Sequence, residues 1–386
     1  MNGFSRLGLL SLASLPALIF PAPASDPDAA PEVRRLIKQL GDDEFAKREE
    51  ASKRLTEIGE PALDAVTKAA TSSDPEVRRR AADIVAVIDD NLHPEHCFTG
   101  GRNWVRQLCV SADGKRVLTC GYQKMRLWDA TTGACLRDFE EDNGTVVSAA
   151  LSLDGKCVVS GSWDGTVRLW DATTGKELRC MRGYTNRVFS VCFGPEGKAL
   201  ATGDLGNLDL LDLNTGKRVA VFHGHTGDVR YVRTVAYSDT ARLAATGGDD
   251  TKICLWDLER GKKVRTLTGH YGLVTCVRFS PDGKQLLSSS SDGTIRFWNV
   301  ESGKELKRIQ EQNASCVAFS LDGKRIVTGD WNDKVVRVWA VETGQEVRRY
   351  EGHTDAVVSV AFFPDGKRIA SASSEDGTVR IWRAPR

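Results

Sequence analysis

Histidine, cysteine and paired acids are the residues through which this chain could do chemistry, and their spacing argues against most of it. His223 and His225 stand two apart, a spacing that could place both on one metal ion, and His93, His96 and Cys97 form a second group with ligand-like spacing. The second group lacks an obvious fourth ligand, and His225 falls in a repeat with its own use for it. Acids recur as Asp113-Gly114, Asp154-Gly155, Glu196-Gly197, Asp282-Gly283, Asp322-Gly323 and Asp365-Gly366. Such pairs are turns rather than catalytic dyads, because Gly supplies the positive φ while Asp bonds back to the turn. No G-x-S-x-G elbow, phosphate-binding loop or dinucleotide glycine fingerprint occurs. No enzyme activity, metal or cofactor is expected.

The element that positions these residues is a repeated hairpin. Residues 158–171 read VVSGSWDGTVRLWD, a β-branched strand, a tight Asp-Gly turn and a second strand ending in Trp-Asp. The unit returns as LLSSSSDGTIRFWN and as IASASSEDGTVRIWR. Terminal tryptophans at 128, 170, 256, 298, 339 and 382, with Leu211 in a seventh place, recur about every 42 residues, the period of a propeller with four strands per blade.

On these residues the chain resembles the WD-repeat family over residues 93–386. The resemblance implies an all-β, seven-bladed β-propeller of four-stranded antiparallel blades. It also implies a support in which a His, a Ser or Thr, an Asp and the closing Trp share hydrogen bonds. The full sets are His225, Thr246, Asp250 and Trp256; His270, Ser288, Asp292 and Trp298; and His353, Ser371, Asp376 and Trp382. Blade two keeps Ser160, Asp164 and Trp170 without the His. Blades one, three and six are eroded, with Gln123 for the Asp, no Trp in blade three, and Asn313-Ala314 where a His would precede the blade-six strand; weaker local support is expected there. The chain ends after the third strand of blade seven, so residues 93–99 are expected to supply its fourth strand and close the ring.

Three tryptophans remain outside the repeat. Trp104 enters blade one, while Trp163 and Trp331 lie in the turns before the third strands of blades two and six. In the WD-repeat arrangement both kinds of connection lie on the narrower face, and the three are expected to form one arc. Tyr122, Tyr184, Arg102 and Arg187 occupy matching connections. Aromatics with arginine make binding hot spots, so these seven residues are the expected partner site. The competing reading is that they are structural, Trp163 stacking on a neighbouring turn.

Residues 1–24 carry one cation at Arg6, an apolar run over 7–20 and small residues around Pro23, the layout of a secretory signal cut before Ser25. The run is too short and interrupted for an ordinary membrane span, so no membrane insertion is expected after cleavage. Export to the periplasm or medium would ordinarily oxidise ten cysteines. Cys109, Cys192, Cys276 and Cys316, however, fall on first strands of blades as small core residues, so mostly free, buried thiols are expected, with Cys97 least settled. Residues 25–92 switch to helical periodicity, with helices over 31–40, 43–58, 62–70 and 76–88. Arg48, Ala51 and Leu55 return 30 residues later as Arg78, Ala81 and Val85, which resembles short HEAT-like repeats. Two such repeats cannot bury both faces, so this segment is expected to dock on the propeller or on another protein.

Lys and Arg number 53 against 52 acids, so no global field recruits nucleic acid. The reading is an exported, noncatalytic scaffold for a protein partner. A propeller that binds a small ligand or hydrolyses one in its channel, and a cytosolic adaptor with a false signal, are the alternatives.

Overall fold

The computed structural model of the chain describes residues 29–385, apart from 93, 100–103, 185–186, 204–205 and 226–230. The expected signal over 1–24 and the candidate Arg102 lie outside the described residues. The chain divides into two compact units after Ile88.

The first unit is helical: α1 (Ala29–Gln39), α2 (Phe45–Ile58), α3 (Glu60–Ala69) and α4 (Pro75–Leu92). Asp74 starts α4 by accepting from the amides of Glu76 (2.8 Å) and Val77 (3.1 Å), while Pro75 occupies the first turn, where its missing N–H costs nothing. The 30-residue repeat has a physical basis. Arg48 donates to the Asp42 carbonyl at 2.6 Å and Arg78 to the Ser72 carbonyl at 2.8 Å, each tying its helix to the preceding turn. Ala51 and Ala81 are both fully buried, beside Leu40, Leu55, Val66 and Ile88. Buried Arg80 joins Glu49 of α2 at 2.7 Å. Helix α1 begins two residues earlier than expected and α4 ends four later.

The second unit is the propeller. Its strands form five four-stranded antiparallel sheets and one six-stranded sheet that contains blades one and two. The larger sheet arises because the strands Arg116–Asp129 and Cys135–Leu151 run through positions where other blades break. Arg116–Asp129 turns back on itself, since Trp128 Nε1 donates to Thr119 Oγ1 at 2.9 Å. Alternation follows the pleat: the second strand of each blade is buried on both faces, whereas the outer strand Lys262–Leu267 is exposed until its last residue.

Blades are stitched at their innermost strands. On five of these strands one side chain accepts from an amide of the next blade: Gln107 from Ala149 (3.1 Å), Ser148 from Val191 (3.0 Å), Ser190 from Val235 (3.2 Å), Thr234 from Val277 (3.2 Å) and Ser359 from Leu108 (3.1 Å). Cys276 occupies the same position and donates to the Val317 carbonyl at 3.8 Å. All ten cysteines are free. Burial pushes the Cys109 thiol up to about 11 and those of Cys192 and Cys316 to about 12, so these three stay protonated at neutral pH. Cys97 and Cys135 are exposed.

The ring closes through His96–Thr99, which pairs antiparallel with Thr378–Arg383, His96 facing Ile381 and Thr99 facing Thr378. Phe98 of this strand stacks on Trp128 of blade one at 5.9 Å and packs with Val379 and Ile381 of blade seven. The outer edge of Thr378–Arg383, which would otherwise stand open, is thereby covered.

Candidate interaction face

Each closing tryptophan buries its ring between blades and donates its indole N–H inward. Acceptors are Thr119, Ser160, Thr246, Ser288, Thr328 and Ser371, for Trp128, Trp170, Trp256, Trp298, Trp339 and Trp382 at 2.8–3.1 Å. In blades four, five and seven a histidine joins the same hydroxyl. His225 lies 2.7 Å from Thr246 and 2.8 Å from Asp250; His270, 2.7 Å from Ser288 and 2.8 Å from Asp292; His353, 2.7 Å from Ser371 and 2.9 Å from Asp376. With both ring nitrogens engaged, His225 has none left for a metal, and His223 turns instead to Asn207 at 2.7 Å. His96 and Cys97 alternate across the closing strand, and no cluster of three or more potential ligands occurs among the described residues.

The three histidines carry different charge. Burial opposes the imidazolium in all of them and is the largest influence on His225, yet Asp250 and Cys254 together outweigh it there and lift the ring to about 9. Burial wins at His270 and His353, which are held below their ordinary value. The neighbours supply the reason: Arg296 and Arg380 add positive charge beside the last two, whereas in blade four Cys254 favours the charged ring.

Blade six corrects the expectation of a weakened support. Arg337 lies 2.6 Å from Glu311 and 2.8 Å from Asp330, all three buried, with Asp333 at 2.6 Å on the other nitrogen. An ion cluster replaces the missing histidine. Burial, with Asp330 alongside, pushes the Glu311 carboxyl up to about 8 against the pull of Arg337, whereas Arg337 keeps Asp330 below its ordinary value despite burial. Blade three differs again: Leu211 is buried in the tryptophan place and Asp209 pairs with Arg218 at 3.2 Å.

The partner-site candidates lie at one end of the strands. In an antiparallel blade whose inner strand starts at one end, the turn between second and third strands and the link to the next blade return to that same end. Trp104, Tyr122 and Trp331 are exposed there, at 48, 53 and 54%. Trp163 is half-buried, with Arg187 over its ring at 4.2 Å and Arg106 over it at 5.1 Å. Arg106 also lies over Trp104 at 5.9 Å. Tyr184, largely buried, is covered by Arg218 at 4.8 Å, and burial raises its hydroxyl. Trp104 and Trp163 are joined through Arg106, while Trp331 stands in blade six with blade seven between, and no ring contact links it to them among the described residues.

The chain matches the family model for the WD domain, G-beta repeat, over residues 92–129, 133–171, 175–208, 216–257, 261–299, 303–340 and 344–383. The chain belongs to the WD40-repeat family. Among curated proteins it is 30% identical over 309 residues to the small ribosomal subunit protein RACK1 of Caenorhabditis elegans, covering 69% of this chain and 86% of that protein. It is 31% identical over 135 residues to a guanine nucleotide-binding protein subunit beta of Zea mays, covering 31% and 35%. Periodic tryptophan protein 2 of Arabidopsis thaliana is 29% identical over 214 residues, covering 53% and 22%. The chain thus spans about a third of the plant beta subunit and about a fifth of the Arabidopsis protein.

The WD40 repeats are staggered by one strand against the blades. The first, 92–129, contains the closing strand His96–Thr99 of blade seven and then the first three strands of blade one. Closure by the N-terminal strand is a consequence of that offset. Sequence reasoning missed Arg106, Tyr271 and Glu311. Arg106 sits inside a strand rather than in a connection, and Glu311 replaces a histidine in a connection that is three residues shorter than its blade-five counterpart. Tyr271, 86% exposed, directly follows a repeat histidine and could have been found by asking which connections carry large side chains.

Proposed function

We propose that this WD40 protein is a noncatalytic scaffold that presents the strand-end face of its propeller to a protein partner, and that it works outside the cytoplasm after losing residues 1–24. The observation that carries the first part is the solvent exposure of Trp104, Tyr122 and Trp331 on a face otherwise built from short turns. Rigid exposed aromatics beside guanidinium groups bind at small entropic cost. Two relatives are named as subunits of larger assemblies, a G protein and a ribosomal subunit, which agrees with a scaffold. The HEAT-like helices form a second repeat surface, suited to the same work.

Capture of partners from an envelope extract tests the reading, with the full chain beside a Trp104→Ala, Trp163→Ala, Trp331→Ala variant of unchanged melting temperature. Partners held by the parent and released by the variant are the expected result. Partners held equally by both move the working surface away from this face. Mass spectrometry of the secreted chain is expected to give an N-terminus at Ser25; an intact Met1 in a soluble cell fraction refutes export.

A further inference from the structure

We propose that the patch where Arg106 and Arg187 flank Trp163 binds an acidic segment of the partner through its carboxylates. The inference rests on the reading of this face as a protein-binding surface and adds the chemistry of what it binds.

Two positive groups share one aromatic ring, Arg187 at 4.2 Å and Arg106 at 5.1 Å from its centroid. Each is attracted to the ring and repelled by the other. Neither makes an ion pair among the described residues. Arg233 shows what the same fold does elsewhere: it lies 5.9 and 5.8 Å from Phe189 and Tyr231 and is neutralised by Asp249. The first patch has the rings and the guanidinium groups, and no carboxylate pairs with them among the described residues. Trp163 adds a buried indole N–H with no acceptor. A carboxylate arriving from outside would meet two forked donors and relieve their repulsion. Exposed Trp104 lies beside them, ready to cover an apolar neighbour of the acid.

The charge of the molecule selects a peptide over a nucleic acid. With 53 basic and 52 acidic residues the attraction is local, suited to one or two carboxylates rather than to a phosphate polymer that rewards an extended basic track.

The test uses fluorescence anisotropy of the full chain with a short labelled peptide of alternating Glu and Gly, its Gln-Gly counterpart and an oligothymidine. The acidic peptide is expected to bind in a salt-dependent way and the Gln-Gly peptide not to bind. Arg187→Glu, on an exposed residue, is expected to weaken binding about tenfold or more, and Arg106→Gln by a similar factor. Equal binding by parent and both variants, no binding of the acidic peptide, or tighter binding of the oligothymidine overturns the proposal. Captured partners separate this from the broader reading. If they leave the Trp104→Ala, Trp163→Ala, Trp331→Ala variant but ignore Arg187→Glu and the acidic peptide, the carboxylate proposal falls alone. If they ignore every variant, both fall.

Discussion

Arg337 holds Glu311 at 2.6 Å inside blade six, where three other blades bury a histidine against an aspartate. The substitution exchanges a neutral or singly charged hydrogen-bonded support for two carboxyls around one guanidinium. Breaking such a cluster is costly even where forming it adds little.

Glu311 keeps its proton to about pH 8 in the folded chain, while the unfolded chain releases it near 4.5. The stabilisation is therefore complete below about 4.5 and declines as pH rises toward 8, by up to about 1.4 kcal/mol per pH unit. Glu311→Gln is expected to flatten urea-unfolding stability over this window. An unchanged slope would place the proton elsewhere.

His225 is expected to be charged at neutral pH and to titrate near 9, with His270 and His353 titrating below the ordinary histidine value. Because its folded value is raised, the His225 contribution to stability is full below about 6.5 and is lost as pH climbs through 9. Ring-proton NMR titration of single His→Gln variants assigns the three signals; one shared midpoint would refute the role of Arg296 and Arg380.

Phe98→Ala is expected to destabilise the propeller by about 3–5 kcal/mol, because the ring leaves a hole between blades one and seven. Removing His96–Thr99 from the full chain should lower the melting temperature further by opening the edge of Thr378–Arg383. A chain starting near Gly101 that melts with the intact ring would contradict the closure.

Ser288→Ala removes the shared partner of Trp298 and His270 and is expected to cost about 1–3 kcal/mol. Exposed Ser302→Ala serves as control and is expected to stay within about 0.5 kcal/mol. Equal effects in denaturant melts would mean that the buried hydroxyl network contributes nothing of its own.

The blade count, the three full histidine supports and the closing strand were legible because each depends on residues at repeating positions. Asp292, His270 and Trp298 mean little singly, but a period near 42 makes their roles readable. The blade-six cluster was not legible. Glu311 comes from a connection and Asp330 and Arg337 from two strands, and only burial turns them from surface charges into a support. The ring contacts of Trp104 and Trp163 were not legible for a related reason: position in a connection tells which end of the sheet a residue occupies, not which neighbour its ring meets.

By itself, the sequence determined the architecture of this WD40 propeller, since hairpin alternation and turn chemistry are local and repeat seven times. Tertiary structure alone decided the charge states and the pairings. Cys254 in place of an arginine leaves His225 charged, and Arg106, buried in a strand pattern, becomes the group that joins Trp104 to Trp163. Those outcomes depend on distance and dielectric between segments far apart in the chain, which no local pattern encodes.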